Sequence, residues 1–150
     1  MIKAQPHFAP WSHALDDDFD KVPDGAGGEM LLQRLRPLSE AERTAWKDQR
    51  KKDLQTHVNA IAQLRIYAIA PDHKQKNLQR RGLELLLKNG AQPNLWPVED
   101  QKELADGLAI GVQIDAIRTA SNRINDDIMA CDDGAALSSW DVPGAFDALS

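Results

Sequence analysis

Asp16, Asp18 and Asp20 alternate along the chain and Asp24 follows, a run of hard carboxylate oxygens at the spacing of a calcium-binding loop. The match fails where geometry is most demanding. Lys21 stands where the loop needs a glycine for its sharp turn, and Gly27 where it needs a bidentate glutamate. These residues are therefore expected to form a solvated acidic turn or a clamp for a basic partner. His7, His13, His57 and His73 lie in four separate contexts, none spaced to put two ligands on one face, so no metal site is expected. Cys131, the single cysteine, has no disulfide partner and no histidine near it in sequence. No serine sits in a Gly-x-Ser-x-Gly turn, and Gly25-Ala26-Gly27-Gly28 lacks the Gly-Lys-Ser/Thr ending of a phosphate loop. The expectation is a protein that is not an enzyme and needs no cofactor.

Cations supply the remaining chemistry. Lys74, Lys76, Arg80 and Arg81 cluster together, and Arg43, Lys47, Arg50, Lys51 and Lys52 precede them. One reading is a nucleic-acid-binding helical module using the basic face of residues 43–81. Against it, cations at the start of a helix oppose its dipole, and the cluster from Lys74 to Arg81 has no aromatic residue interleaved to stack on bases.

The 150 residues carry a net charge of −5 and suffice for one modest core. The charge is divided unevenly. Residues 1–38 carry four Lys/Arg against six Asp/Glu, residues 39–90 eleven against six, and residues 91–150 three against eleven. A basic middle is thus expected to meet an acidic end, within one subunit or between subunits, or to meet an acidic partner. Apolar runs fall well short of the ~20 residues a bilayer requires, so no membrane partner is expected. Met1 to Phe8 lacks the pattern of a signal peptide, which implies a cytoplasmic origin.

The elements that must position these groups are helical. Ser39 and Glu42 form a Ser-x-x-Glu capping box, and a long helix is expected from there to about Ala70. Its apolar stripe is read as Leu54, Val58, Ile61, Leu64 and Ala68, with Arg50, Lys51, Lys52 and Asp53 facing water. Pro71 breaks or kinks it. A second helix runs through Leu78, Leu83, Leu85, Leu86 and Leu87 to Asn89-Gly90. After a loop containing Pro93 and Pro97, a third helix places Gly107, Ile110, Ile114, Ile117, Ser121, Ile124 and Ile128 at alternating intervals of three and four, the seam of a coiled coil. That seam can close on the first helix of its own chain or join subunits. The predicted fold class is all-α, a long helical hairpin (residues 39–129) with an extended arm before it (1–38) and an extended tail after it (130–150). Within the arm a short helix over Gly28 to Arg36 is expected. Phe8, Trp11, Phe19 and Trp140 are read as arm anchors that dock on another protein.

The stretch Arg65-Ile66-Tyr67-Ala68-Ile69-Ala70-Pro71-Asp72-His73-Lys74-Gln75-Lys76-Asn77-Leu78, followed by Arg81 to Leu86, resembles a helical module of tailed-bacteriophage virion and tail-fibre-associated proteins. Its ending is matched by Ile117-Arg118-Thr119-Ala120-Ser121-Asn122-Arg123-Ile124, so the likeness spans about residues 60–128. The resemblance implies a structural virion protein, made in the host cytoplasm. It would be a tail adaptor or fibre-attachment part that binds other tail proteins and forms homo-oligomers. It further implies that Lys74, Gln75, Asn77, Arg118, Ser121 and Asn122 make polar contacts that hold the helix register.

Overall fold

The computed structural model describes residues 10–23 and 27–149, and among them the chain is all-α apart from one small β-hairpin. Two compact units emerge. One holds the described residues up to Asp53 together with Ala130–Trp140, and the other holds Leu54–Met129 with Asp141 onward.

In the first unit, β1 (His13–Pro23) and β2 (Glu29–Pro37) pair antiparallel, from His13 opposite Pro37 to Pro23 opposite Glu29, with an irregularity between Leu15 and Phe19. This corrects two expectations. Residues 13–23 and 29–37 are not an extended arm, and Gly28 to Arg36 do not form a helix. Leu31, Leu32 and Leu35 mimic helical spacing, but the prolines bound strands here. Gly27, at φ +87°, supplies the left-handed backbone at the turn. Across the strands Lys21 pairs with Glu29 at 3.4 Å and Arg34 with Asp20. Asp16, Asp18 and Asp20 thus lie in a strand, Asp24 lies outside the described residues, and the Arg34 hydrogen bond holds the Asp20 carboxyl below its ordinary range.

The helix α1 (Glu40–Ile69) begins at the expected box. The Glu42 amide donates to Ser39 Oγ at 3.3 Å and the Ser39 amide to the Glu42 carboxylate at 2.9 Å. Arg50 and Lys51, expected to face water, are instead turned onto the C-terminal segment. Arg50 donates to the carbonyls of Leu137 and Ser138 at 3.0 and 3.3 Å, and Lys51 reaches Asp132 at 3.4 Å. Those carbonyls end α4 (Gly134–Ser138), which starts where the Asp133 carboxylate accepts from the Ala135 amide at 2.8 Å.

In the second unit α1 continues, and α2 (Asp72–Asn89), α3 (Val98–Ala130) and α5 (Val142–Asp147) join it. Leu54, Val58 and Ala62 are buried on α1, facing inward with Ile114, Ser121, Ile124 and Ile128 of α3. The expected stripe goes astray after Val58, and Leu64 is 70% exposed. Two consecutive three-residue steps, Val58 to Ile61 to Leu64, each fall about 60° short of a full turn, whereas four-residue steps follow the contact row.

Cross-contacts set the direction of pairing. The Asn125 amide donates to Asn59 at 3.4 Å, Leu78 touches the open side of Gly107, Arg81 meets Glu103 at 2.7 Å and Asn89 meets Asp100 at 2.7 Å. Each advance along α1 and α2 is thus a retreat along α3, and Pro71 bends the first limb without breaking this antiparallel register. At the bend Gln75 Nε2 donates to the Ala70 carbonyl at 2.8 Å, filling an acceptor left open because the Lys74 amide donates to the Pro71 carbonyl instead.

The C-terminal tail is also not extended. Leu137, Val142 and Phe146 are among the most buried side chains of the chain, and Pro143 sits in the first turn of α5, where a proline is tolerated. The Arg65 guanidinium lies 5.0 Å from the centre of the Phe146 ring and bonds Asp147 at 2.6 Å.

Candidate interaction surface

Along α2 and the first half of α3 the two helices have few side chains between them. Leu85 is the one fully buried residue of α2. Three glycines, Gly82, Gly107 and Gly111, lie in this stretch of helix interior, where each costs up to about 1 kcal/mol of helix propensity relative to alanine. What they provide is space: a Cβ added at Gly82 or Gly111 would meet no atom within 4 Å. The result is a groove of about 370 Å³ whose floor is Leu78, Gly82, Leu85, Gly107, Gly111 and Ile114. Leu104 and Leu108 form one wall, and Gln75 and Gln79 the other.

The charged groups on the rim are matched. Arg81 donates two hydrogen bonds to Glu103, at 2.7 and 2.9 Å, and one to Glu84 at 3.3 Å. These bonds raise the Arg81 pKa and hold Glu103 below its ordinary range. At the far end Arg118 meets Asp115 at 2.9 Å. The loop end of the hairpin is closed by Asp100, which is buried and accepts from Lys88 at 2.8 Å and Asn89 at 2.7 Å. Those two bonds, Lys88 first, lower its pKa. Trp96 seals the same end, nearly buried, with its indole N–H donating to the Gly90 carbonyl at 3.1 Å.

Apolar side chains of these two helices also stand in water, Leu108 in the groove lining and the others outside it. Leu83, Leu86 and Leu87 on α2, and Leu108 and Val112 on α3, are exposed, Val112 by 69%. Leu86 lies one turn beyond Gly82, and Val112 one turn beyond Leu108. A helix that is apolar on more than its core-facing stripe carries a face in want of a partner.

The expected site residues fall in three places. Ile114, Ile124 and Ile128 are buried and Ile110 and Ile117 half-buried, so the isoleucine seam faces the interior of this chain, with Ile110 and Ile114 also lining the groove. Among the arm anchors, Trp11 and Trp140 are half-buried, and Trp11 lies against Gly134, where an added Cβ would come within 3.2 Å of its ring. Phe8 and the Phe19 side chain lie outside the described residues; the Phe19 backbone pairs with Gln33 in the hairpin. Among the basic residues, Lys74, Lys76 and Arg80 are exposed, Arg80 stands 3.8 Å from Glu84, and Arg81 is bound to Glu103. Of the polar set implied by the resemblance, Gln75 and Arg118 have the partners given above, Ser121 is buried, and Lys74, Asn77 and Asn122 are exposed.

Sequence reasoning did not single out Trp96, Asp100 or the groove. The signal available for the groove was the presence of glycines inside otherwise strong helical patterns. Among the described residues no three His, Cys, Asp or Glu side chains gather to hold a metal ion, and no helix is long and apolar enough to cross a membrane. No protein-family model matches the chain, and neither a curated protein nor a solved structure is significantly similar to it.

Proposed function

We propose that this chain is an assembly protein and not an enzyme: a structural component of a tailed-bacteriophage virion, acting as a tail adaptor or fibre-attachment part through protein–protein contacts. The observation that carries the assembly reading is the exposed apolar surface along α2 and the first half of α3. Leu83, Leu87, Leu108 and Val112 stand in water on these helices, although Ile114, Ile124 and Ile128 of the same hairpin are already buried within the chain. The virion assignment rests on the resemblance of residues 60–128 to the phage helical module.

The nucleic-acid reading is weaker. Arg81, one of its four contact residues, is bound to two carboxylates, and Arg80 stands near one of the same pair.

A tagged copy made in cells that are producing the phage should sediment with the particles through a density gradient and remain with them in high salt, as a contact dominated by apolar burial does. A copy left behind in the soluble fraction while complete particles form would refute the proposal.

A further inference from the structure

Asn89 and Gly90 end α2, and nowhere else in the chain is an asparagine followed by a glycine. That pair has a chemistry of its own. Glycine lacks the Cβ that shields a backbone amide, so its nitrogen can reach the carboxamide carbon of the side chain before it. We propose that Asn89 is a site of spontaneous deamidation that Asp100 holds shut: the native loop end suppresses the reaction, and a chain that opens there is converted and cannot close as before. The inference goes beyond the assembly reading and does not depend on it.

The reaction needs only the chain and water. The Gly90 nitrogen attacks Asn89 Cγ, the Cγ–Nδ2 bond breaks, and ammonia leaves with the proton that Gly90 gives up. A water molecule then opens the cyclic imide. Opening at Cγ gives aspartate, and opening at the backbone carbonyl gives isoaspartate, in which the main chain takes the longer path through the side chain. Solvent has access, since Gly90 is exposed and Asn89 only half-buried.

The native geometry blocks each part of this path. The Gly90 amide donates to the Leu86 carbonyl at 2.9 Å, which keeps the nitrogen pointing back along the helix and away from Asn89 Cγ. Asn89 Nδ2, the leaving group, donates to Asp100 at 2.7 Å, and the Gly90 carbonyl accepts from the Trp96 indole at 3.1 Å. The acceptor is itself fixed, because Asp100 is buried and also holds Lys88. What remains is opening of the last turn of α2, the part of a helix that frays most readily. Once converted, residue 89 presents a carboxylate where a donor faced Asp100. Two carboxylates so close repel, with one Lys88 between them, and a negative charge at a helix C-terminus also opposes the dipole. Isoaspartate further displaces the Gly90 amide from Leu86. The conversion therefore runs one way and loosens the loop end of the hairpin.

The test is peptide mapping by mass spectrometry of the whole chain held at neutral pH, following the fraction of Asn89 converted to aspartate and isoaspartate. In concentrated urea Asn89 should convert faster than any other asparagine of the chain, and in native buffer at least about tenfold more slowly than in urea. Asp100→Ala removes an ionised acceptor, so in a chain that circular dichroism shows to be still helical it should speed the native reaction at least about tenfold. Asn122, exposed on α3, is the internal control and should keep its rate. Asn89→Asp supplies the product directly, and its Gly90 amide should exchange with solvent at least about tenfold faster than in the native chain, while the core of α3 keeps its protection. If Asp100→Ala does not fold, the urea comparison and Asn89→Asp decide. Four results would each overturn the inference: Asn89 no faster than the other asparagines in urea, equal rates in urea and native buffer, an unchanged rate in folded Asp100→Ala, or full protection of the Gly90 amide in Asn89→Asp.

Discussion

Replacing Phe146 by alanine separates a docked C-terminal helix from an extended tail. The ring is 1% exposed, in α5, in the same unit as the hairpin core, with Arg65 stacked over it. A phenylalanine buries roughly 150–250 Å². Truncation of one so enclosed costs about 3–5 kcal/mol, the lost transfer energy plus the cavity left behind. A further ~0.5–1 kcal/mol is expected from the cation–π contact with the half-buried Arg65. For a chain of this length each kcal/mol lowers the melting temperature by about 2–4 °C, so a drop on the order of 10 °C is expected. Circular dichroism against temperature, with urea titration to supply the free energy, reads it directly. Leu64→Ala is the control, since that side chain is 70% exposed and its loss should shift stability by less than about 0.5 kcal/mol. If Phe146→Ala costs less than about 1 kcal/mol, the ring is not held in the core. The tail would then be the loose extension its composition implies, and the placement of α5 would be wrong.

Ile124→Ala, at a seam position 1% exposed, should cost about 2–5 kcal/mol in the same urea titration. Ser39→Ala removes the N-cap of α1 and should cost about 1 kcal/mol, with fraying at the helix start visible in amide exchange around residues 40–43. Gly134→Ala brings a methyl within 3.2 Å of the Trp11 ring and should shift its fluorescence; an unchanged spectrum would mean that Trp11 does not rest there. Glu42, Asp100 and Glu103 are all held below their ordinary values of 4.5, 3.8 and 4.5, chiefly by Arg36, Lys88 and Arg81 respectively. Each is a stronger acid folded than unfolded, so its stabilisation is complete above the ordinary value and declines as pH falls below it. Melting temperature should therefore fall from about pH 4.5 downward, and Glu103→Gln should flatten that slope.

The helix boundaries were legible because local chemistry sets them. Ser39 with Glu42, Pro71, and Asn89-Gly90 act on the backbone within a few residues, and the structure breaks at each of them. The β-hairpin was hidden for the opposite reason. Strand pairing between residues such as Lys21 and Leu31 depends on a partner ten residues away, while Leu31, Leu32 and Leu35 viewed alone fit a helix equally well. The tail failed for length. Helices of five and six residues are too short for any period to appear, and what marks them is single residues, Asp133 at an N-cap and Pro143 in a first turn. The isoleucine seam could be drawn from spacing, but spacing does not say which helix faces it. The answer depends on Leu54, Val58 and Ala62, and two of those three were on the expected stripe. The groove is the least legible feature, because an absence of side chains is apparent only once two helices have been placed beside each other.

The uneven charge distribution finds part of its answer inside the chain. Lys51 with Asp132, Arg65 with Asp147, Arg81 with Glu103 and Lys88 with Asp100 all join the basic middle to the acidic end. Each of these pairs has at least one solvent-exposed partner, and ion pairs open to solvent contribute little to stability. Their effect lies in selection: a hairpin slipped one helical turn in one sense would set Arg81 against Gly107, and in the other would set Lys88 against Trp96, so the pairs disfavour wrong registers more than they strengthen the right one. Lys74, Lys76 and Arg80 on α2, and Asp106 on α3, remain exposed after the internal pairs are made. None of the four lines the groove: Lys76 and Arg80 each stand two residues from Leu78, and Asp106 two from Leu104, so they project to the other side of their helices, and the charges that do line the groove, Arg81 with Glu103 and Arg118 with Asp115, are already paired, which leaves it to select by shape.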